Sequence, residues 1–404
     1  MWLMIDPFDL NLRHLRALPA ITASGSVRAA AEAVSLSQPA LTQGLAKLER
    51  QLGVTLFDRR SDGMAATEGG RLLADRAAAA FERLGRAVRD ASGHASRGFA
   101  RAERLMTATQ LRAFLALADA GSFTGAASAT ALSQPALHRA VRDLEQVGGF
   151  ALVERRGRGI ALTPAGRRLA RGVRLVRADI AAGIAEIAPA EGDGRVVVGA
   201  MPFCRASLLP AAIARLLQET PRLRLDIAEG AWRELVEPLR DGAIDLMIGA
   251  LRDPCPPDLT QHALLVDRLV VVGRADHPLV NVTSPGLDAL AAFPWIVGRL
   301  HSPLRMHWER LFAGRALPPA PIECGSVLAM RGILQRSDCL TLVSPAQVVV
   351  ELSGGLLARI GPPLVGHERT IGITTRADWR PTPVQHRFLH HVQAVAAETL
   401  QENQ

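Results

Sequence analysis

The stretch SLSQPALTQGLAKLERQLG, from Ser35 to Gly53, decides the fold of the N-terminal half. Ser37 is a favourable helix N-cap, and Pro39 falls in the first turn, where its missing N–H does no harm. Leucines recur at three- or four-residue spacing and form one apolar face, which leaves the intervening polar residues facing outward. These leucines are Leu41, Leu45, Leu48 and Leu52. The pattern predicts an amphipathic helix with a polar outer face.

The residues around this helix predict a small winged domain. Apolar residues from Leu12 to Ile21 are spaced as in a short helix that ends before Ser24, and a second short helix begins after its N-cap Ser26. Two helices joined by a tight turn, the second with a polar outer face, indicate a helix-turn-helix. The alternating segment that follows, with a turn at Gly63, favours a two-stranded wing.

The same unit is written twice. LSQPAL stands at 36–41 and again at 132–137, and an ungapped shift of the chain by that offset gives about 28 identities in roughly 64 positions from Leu12 to Asp75. Two copies are too few for a stacked solenoid, and nothing after Ala190 repeats the pattern. The chain is therefore predicted to carry tandem domains.

A long helix is predicted after each wing. Leu169, Val173, Val176, Ile180, Ile184 and Ile187 form an apolar seam of the coiled-coil type. A shorter seam follows the first wing and ends at a Gly/Ser-bearing stretch. The predicted divisions are copy 1 at 10–67, linker helix 1 at 68–92, an inter-copy linker at 93–107, copy 2 at 108–163 and linker helix 2 at 164–190.

Basic charge is concentrated in the duplicated half. Residues 1–190 hold 26 Lys and Arg against 17 Asp and Glu, a net charge of +9, whereas the remainder holds 21 against 22. A solvated arginine-rich surface is the plain alternative, but such asymmetry favours a polyanionic partner for the first half.

The duplicated residues resemble the DNA-binding domain of LysR-type transcriptional regulators. NLRHLRALPAITASGSVRAAAEAVSLSQPALTQGLAKLERQLGVTLFDRR matches that pattern nearly throughout, and TATQLRAFLALADAGSFTGAASATALSQPALHRAVRDLEQVGGFALVERR matches it again. The resemblance implies double-stranded promoter or operator DNA as the partner.

The candidate DNA-binding residues lie on the two recognition helices, beside them and in the wings. Amide and guanidinium groups can read adenine and guanine edges in the major groove, while hydroxyls and wing arginines suit phosphates. For any one of them a solvated surface is the alternative. In copy 1 they are Arg28, Ser37, Gln38, Pro39, Thr42, Gln43, Lys47, Arg59 and Arg60. In copy 2 they are Ser133, Gln134, Pro135, His138, Arg139, Arg142, Arg155, Arg156 and Arg158.

Each copy departs from the family pattern. Gly44 inside the first recognition helix costs about 1 kcal/mol of helix stability relative to Ala. Gly148 and Gly149 replace the expected Leu-Gly pair in copy 2, and we expect them to loosen the corner between helix and wing. The first wing tip lacks the basic residue that Arg158 supplies in the second. Either copy could thus be a degraded reader kept for packing. If only one copy reads bases, copy 2 is favoured.

The C-terminal half alternates β-rich and helical segments, which predicts parallel strands with crossover helices. VVVGA, LRDGAIDLMIGA and ADHPL resemble the effector-binding region of the same family, two α/β subdomains of the periplasmic-binding-protein kind. The predicted fold class is thus α/β multidomain: two winged helix-turn-helix domains, rich in α-helix, followed by this two-subdomain domain. The effector-binding domain is placed at 195–400, with subdomain I at about 195–267 and 371–400 and subdomain II at about 268–370.

Ligands in such folds bind at the carboxyl ends of strands, where helix N-termini offer free N–H groups. An anionic or sugar-like small molecule is the predicted effector. Ordinary packing is an equal alternative for each residue of the expected lining. These residues are Phe203, Cys204, Trp232, Arg299, His301, Ser302 and Ser326.

An enzyme is not favoured, because the chain lacks G-x-G-x-x-G after a strand, G-K-[ST], H-E-x-x-H and G-x-S-x-G. Four scattered cysteines and the adjacent His390 and His391 indicate neither a metal site nor a disulfide framework, and no cofactor is predicted. The absence of a signal peptide or an apolar run of spanning length favours a cytoplasmic protein without membrane contact. The alternative function is a solute-binding protein whose helical domains no longer read DNA.

Two arrangements could explain the duplication. The linker helices could pair antiparallel within one chain and imitate a dimer of readers, or linker helix 2 could pair between chains and form a homo-oligomer. A homo-oligomer through linker helices is expected, since a homodimer with four readers is compatible with both arrangements, and RNA polymerase is a further candidate partner. An effector is expected to change the angle between readers and so to alter transcription, provided that it binds two arrangements with unequal affinity.

Overall fold

A computed structural model describes residues 5–61, 63–93, 99–157, 159–187 and 194–402. The chain divides into two compact units near Arg195, a helical unit and an α/β unit.

The helical unit contains two modules of the same design, each with three helices, a two-stranded antiparallel wing and a long linker helix. Module 1 consists of α1 Leu12–Ser24, α2 Val27–Ala33, α3 Gln38–Leu52, β1 Phe57–Arg60, β2 Gly63–Ala66 and α4 Glu68–Ser92. Module 2 consists of α5 Ala108–Ala120, α6 Phe123–Ala129, α7 Gln134–Gly148, β3 Val153–Arg156, β4 Gly159–Leu162 and α8 Pro164–Ile187.

Both recognition helices, α3 and α7, begin and end in the same way. The hydroxyl of Ser37 accepts a hydrogen bond from the Ala40 N–H, and Ser133 caps α7 through Ala136. Each helix ends at a glycine in the left-handed conformation, with φ 68° at Gly53 and 75° at Gly149. Such C-caps favour glycine because it has no Cβ to clash.

The corner between helix and wing is also closed equally in both modules. The carboxylate of Glu49 accepts hydrogen bonds from the N–H groups of Leu56 and Phe57. Glu145 makes the equivalent bonds to Leu152 and Val153. The expectation that the Gly148–Gly149 pair loosens this corner was therefore wrong, because the glutamate holds the strand in place.

Gly44 has a packing reason inside α3. A Cβ at this position would lie 2.3 Å from Nε2 of His14, which packs against the helix from α1. The close approach of the ring explains why a poor helix former occupies a helix interior.

The two linker helices pack against each other in opposite directions. A Cβ at Gly69, near the start of α4, would lie 3.6 Å from the Cβ of Ile187 at the end of α8. Toward the other end of the pair, a Cβ at Gly172 would lie 2.1 Å from the Cβ of Ala87. The seam predicted for α8 is thus buried against α4 of the same chain, as in the first of the two arrangements considered above.

The α/β unit contains two five-stranded mixed sheets. Its first part runs β5 Arg195–Ala200, α9 Leu208–Glu219, β6 Arg224–Glu229, α10 Trp232–Arg240, β7 Leu246–Ala250 and β8 Leu259–Arg268. Next come β9 Val270–Arg274, α11 Leu287–Ala291, β10 Trp295–Val297, α12 Pro303–Leu311, β11 Ile322–Glu323, α13 Val327–Leu334 and β12 Leu340–Val343. The last elements are α14 Val349–Ser353, β13 Leu357–Arg359, β14 Glu368–Arg376 and α15 Pro383–Glu402.

Strand order is β6-β5-β7-β14-β8 in the first sheet and β11-β10-β12-β9-β13 in the second. Strands β5, β6 and β7 are parallel, as are β10, β11 and β12, and the remaining pairs are antiparallel. The antiparallel strands include β8 and β14. The chain leaves the first sheet after β8, at Leu269, and returns to it with β14, which follows β13. Apolar clusters cover both faces of each sheet.

Candidate nucleic-acid interface

The recognition helix of module 1 presents an exposed polar face. Its Ser37, Gln38, Pro39, Gln43 and Lys47 are exposed. Thr42 is half-buried and donates its hydroxyl hydrogen to the carbonyl of Gln38, so it offers a methyl group and an acceptor oxygen rather than a free donor. Arg28, on α2, is exposed and forms an ion pair with Glu32 at 3.5 Å.

The recognition helix of module 2 is exposed along the same face and carries more organised side chains. Ser133, Gln134, Pro135, His138, Arg139 and Arg142 are all exposed. The His138 ring stacks on Phe123, with centroids 3.5 Å apart and planes inclined by 18°. Gln134 donates from Nε2 to the hydroxyl of Thr124 at 3.0 Å. Two of the candidate DNA-binding side chains of α7 are therefore positioned by α6.

The wings add basic residues on both sides. Arg59 and Arg60 on β1 are exposed, as are Arg155 and Arg156 on β3. Arg158 lies outside the described residues. These arginines thus place exposed positive charge on both wings.

Buried ion pairs join the two linker helices. Nε of Arg83 lies 2.8 Å from Oδ2 of Asp179, and these side chains are 11% and 17% exposed. Arg76 pairs with Glu186, and those side chains are 4% and 9% exposed. Sequence reasoning missed these pairs, although a charged residue of opposite sign beside each apolar seam was a usable signal.

The short segments that precede α1 and α5 each form hydrogen bonds with the other module. Arg112 of α5 bonds Oδ1 of Asp9 at 2.5 Å, and Arg177 of α8 bonds Oδ2 of Asp6 at 2.5 Å. Reciprocally, Arg16 of α1 donates to the carbonyl of Arg104 at 2.7 Å, in the segment before α5. Burial lowers the pKa of Arg16 to about 10, which still leaves it charged at neutral pH. Each module is thus tied to the other by more than the linker helices.

This pairing places the two readers at opposite ends of the linker helices. A 25-residue α4 is about 37 Å long at roughly 1.5 Å per residue. One turn of DNA is about 34–36 Å, the usual spacing between half-sites read by paired helix-turn-helix domains. The length of a linker helix is thus comparable with that spacing.

In the α/β unit, two predicted effector contacts lie in the interior. Cys204 is fully buried, and its thiol donates to the carbonyls of Met201 and Ile248. Burial raises the pKa of this thiol to about 12, so it stays protonated. Phe203 is also buried in the apolar core, with the guanidinium of Arg369 5.8 Å from its ring centroid. Core packing accounts for both residues and argues against the predicted role of Cys204.

The remaining predicted effector residues lie at the carboxyl ends of strands. Trp232 begins α10 after β6, and the guanidinium of Arg252 covers its ring at 5.1 Å from the centroid. Arg299 and His301 are exposed in the loop after β10, where His301 has a positive φ of 63°. The hydroxyls of Ser302 and Ser326 cap α12 and α13 by accepting hydrogen bonds from Arg305 and Ala329.

A buried polar cluster near the strands that join the two sheets was not foreseen from the sequence. Asp267 accepts hydrogen bonds from the Ser344 hydroxyl and from Nε of Arg369, both at 2.7 Å. The rings of His307 and His367 lie 5.6 Å apart, and burial lowers the pKa of His307 to about 4. These residues are far apart in sequence, so no local pattern could bring them together.

Comparison with known proteins finds family models that match both halves of the chain. The family model described as bacterial regulatory helix-turn-helix protein, lysR family, matches residues 12–71 and again 108–167. The model of the LysR substrate binding domain matches residues 189–397. The chain belongs to the LysR family of transcriptional regulators.

Curated relatives agree with this family. The HTH-type transcriptional regulator GalR of Pseudomonas putida is 31% identical over 403 residues, which cover 98% of this chain and 100% of that protein. The SDS degradation transcriptional activation protein of a Pseudomonas species is 32% identical over 280 residues, 66% of this chain and 89% of that protein. The first match extends over both modules.

Among solved structures, a full-length OxyR variant from Pseudomonas aeruginosa has a TM-score of 0.55 at 23% identity, over 72% of this chain and 94% of that one. At that identity the likeness concerns the fold alone. The predicted family, the duplication and the fold class are confirmed.

This LysR-family chain is a DNA-binding transcriptional regulator with an effector-binding domain, and regulators of the family bind DNA and small molecules and form oligomers. The alternative of a solute-binding protein that no longer reads DNA is not supported. The predicted homo-oligomer is consistent with this family, whereas the α8 seam expected to form it is buried against α4 of the same chain. Within the described residues, the structure has no helix long and apolar enough to cross a membrane.

Proposed function

We propose that this LysR-family chain presents its two DNA-binding modules to one promoter site as a pair assembled within the chain. The observation that carries the proposal is the burial of the α4–α8 seam while the polar faces of α3 and α7 stay exposed. A reader pair joined in one chain forms at any protein concentration, because its association is intramolecular.

The proposed roles follow the chemistry of each group. Gln38 and Gln43 of α3, and Gln134, His138, Arg139 and Arg142 of α7, contact base edges. Ser37, Lys47, Ser133 and the wing arginines contact phosphates. Arg28 joins the phosphate contacts when it leaves its exposed ion pair with Glu32, which costs little because such pairs contribute about 0–1 kcal/mol.

A gel-shift assay of the full chain on its own upstream region tests this function. We expect a discrete complex with that DNA, a weaker one with an unrelated duplex of equal length, and a steep fall of log K with log salt concentration. The complex should form at protein concentrations far below those at which the chain self-associates. Equal affinity for both duplexes at every salt concentration would contradict sequence-specific binding.

We further propose that the α/β unit binds its effector at the carboxyl ends of β10 and β11. Arg299 is exposed there, a Cβ at Gly325 would lie 3.9 Å from its Cδ, and α12 and α13 both begin beside it. A guanidinium beside two helix N-termini suits an anionic or polyhydroxylated small molecule.

Thermal shift of the full chain against a panel of carboxylates and sugars tests the effector site. A compound that raises the melting temperature of the wild type should lose most of that effect with Arg299→Ala. The control is Arg336→Ala, which changes an exposed arginine just after α13. An unchanged shift in Arg299→Ala would place the site elsewhere.

The same proposal includes two general expectations, one about catalytic activity and one about cellular location. The matched relatives are named as regulators of transcription, which supports a chain without catalytic activity of its own. A regulator that binds promoter DNA works where that DNA is, which supports a cytoplasmic location.

A further inference from the structure

The two linker helices pair as equivalent elements of the two copies. The ungapped offset of the repeat relates Arg83 to Asp179, and these two residues face each other at 2.8 Å. The contact of Arg76 with Gly183 is likewise related to that of Gly172 with Ala87. A local two-fold axis therefore relates α4 to α8, and the Arg83–Asp179 pair lies on it.

The charges on this axis favour the pairing of α4 with α8 over the pairing of either helix with a copy of itself. If two copies of α4 paired in the same way, Arg83 would face a second Arg83. Two copies of α8 would bring Asp179 against a second Asp179. Because the pair is more than four-fifths buried, water could not screen the like charges, and only α4 with α8 gives opposite charges on the axis.

Side-chain size adds to the selectivity. Gly172 leaves room for Ala87, and Gly183 leaves room for Arg76, whose Cβ would lie 2.9 Å from a Cβ at Gly183. A pair of α4 helices would place Arg76 against Ala87 with no glycine to receive it. A pair of α8 helices would place Gly172 against Gly183 and leave a gap. Each reader pair thus contains one module 1 and one module 2.

The two recognition helices of that pair are not equivalent readers. They are identical from Ser37 to Leu41 and from Ser133 to Leu137, and they differ over the next turns. The equivalent positions hold Thr42 and His138, Gln43 and Arg139, Ala46 and Arg142, and Lys47 and Asp143. In α7, these four side chains line one surface concavity.

The neighbouring side chains that position the residues of each recognition helix differ as well. Phe123 and Thr124 position His138 and Gln134 in module 2. The equivalent positions in module 1 hold Val27 and Arg28, which offer neither a ring to stack on nor a hydroxyl.

We infer that the chain binds a DNA site with two unlike halves, one read by each module. The inference rests on the proposed function, in which both modules bind DNA as an intrachain pair. Arginines select guanine through O6 and N7, so the half-site of module 2 contains guanine at the positions under Arg139 and Arg142. Glutamine selects adenine, and the Thr methyl contacts thymine, so the half-site of module 1 is richer in A and T.

Selection of bound duplexes from a random-sequence pool with the full chain tests the inference. We expect two half-sites in inverted orientation, centred about 10–10.5 base pairs apart or a multiple of that spacing, with different base preferences. Duplicating either half should lower affinity at least tenfold.

Transfer of the four module 2 residues into module 1 is the matched variant. Thr42→His, Gln43→Arg, Ala46→Arg and Lys47→Asp together should give the module 1 half of the selected site the guanine preference that Arg139 and Arg142 carry in module 2. The reciprocal transfer, His138→Thr, Arg139→Gln, Arg142→Ala and Asp143→Lys, should remove that preference from the module 2 half. Seven of the eight positions are exposed and the eighth, Thr42, is half-buried, so a far-ultraviolet circular dichroism melt is expected to match the wild type.

A perfect inverted repeat selected by the wild type would overturn the inference and leave DNA binding by both modules intact. A single half-site would overturn it too, because one module would then not read bases. Failure of the wild type to enrich any sequence would contradict the proposed function itself and this inference with it.

Discussion

Helices α3 and α7 share five residues at their start, the serine cap included, and then present different groups to solvent. The shared part, SQPAL, supplies the cap, the first-turn proline and the first core leucine. The differing part carries amide, hydroxyl and ammonium groups in α3 but imidazole, guanidinium and carboxylate groups in α7. The cap, the first-turn proline and the first core leucine are thus repeated, whereas the outward-facing residues of the following turns differ.

The same contrast holds between the linker helices. Thr67 and Thr163 cap them in the same way, through the N–H groups of Gly70 and Gly166. Their facing charges are opposite, and their facing small residues interlock. Duplication therefore preserves the architecture of a two-fold reader pair, while the differences make its two sides distinct.

Reversing one charge on the local axis is the strongest way to break this pairing. Asp179→Arg places two guanidinium groups together in a buried position, and we expect the free energy of unfolding to fall by about 3–5 kcal/mol. Urea unfolding of the full chain measures the loss.

The double exchange Arg83→Asp with Asp179→Arg is the matched rescue and should recover most of that loss. Glu82→Arg disrupts an exposed pair with Arg86 on the same helix, and it should cost less than about 1 kcal/mol. A double exchange no more stable than Asp179→Arg would show that charge on the axis does not hold the helices together.

Removing one proposed base-contacting side chain from each recognition helix tests whether the two modules read separate halves of the site. Arg139→Ala should weaken binding to the selected site by about 1–3 kcal/mol, roughly 5- to 150-fold, and relax preference only in the guanine-containing half. Gln43→Ala should relax the other half. Competition gel shifts with duplexes mutated in one half at a time measure both effects, and loss of preference in the same half for both variants would contradict separate readers.

Restoring a helix former at Gly44 tests why module 1 departs from module 2, which has Ala140 at the equivalent position. Gly44→Ala should stabilise the chain by about 1 kcal/mol in a His14→Ala background, where only helix propensity acts. In the wild type the His14 ring must move, so the gain should be smaller or reversed. Equal gains in both backgrounds, measured by denaturant unfolding, would remove the packing explanation.

The smallest expected effect is on the pH dependence of stability, to which a histidine of module 1 contributes. Burial, then the charge of Lys47, lowers the pKa of His14 below its ordinary value, whereas module 2 has Gln110 at that position. The unfolded chain therefore binds the proton more readily, and stability that depends on neutral His14 is lost as pH falls through 6.5. Unfolding midpoints between pH 7.5 and 5.5 should fall more in the wild type than in His14→Gln, and parallel curves would refute this assignment.

Most of the local structure could be predicted from the sequence because its signals are local. Serine caps, first-turn prolines and leucine spacing gave the recognition helices, and the limits of α4 coincide with the predicted linker helix at 68–92. The exposed recognition-helix residues could be placed for the same reason, since a helix with one apolar face must turn the other outward.

Contacts between distant residues could not be predicted in this way. Nothing near Gly44 in sequence indicates that the ring of His14 fills the space beside it. The seam of α8 showed that a partner was needed, but only the fold shows that the partner is α4. Cys204 was placed at a strand end correctly, yet its side chain points into the core.

An engineered disulfide between the linker helices tests the central claim most directly, namely that α4 and α8 of the same chain are partners. A Cβ at Gly69 would lie 3.6 Å from the Cβ of Ile187, within the range of about 3.5–4.5 Å that disulfides require. Gly69→Cys with Ile187→Cys is oxidised in the full chain, with each single-cysteine variant and the wild type as controls, because Cys255 is exposed. The account predicts a faster-migrating band of single-chain mass, 43.2 kDa, on a non-reducing gel. A covalent dimer formed only by the double variant would contradict it, because the two helices would then pair between chains.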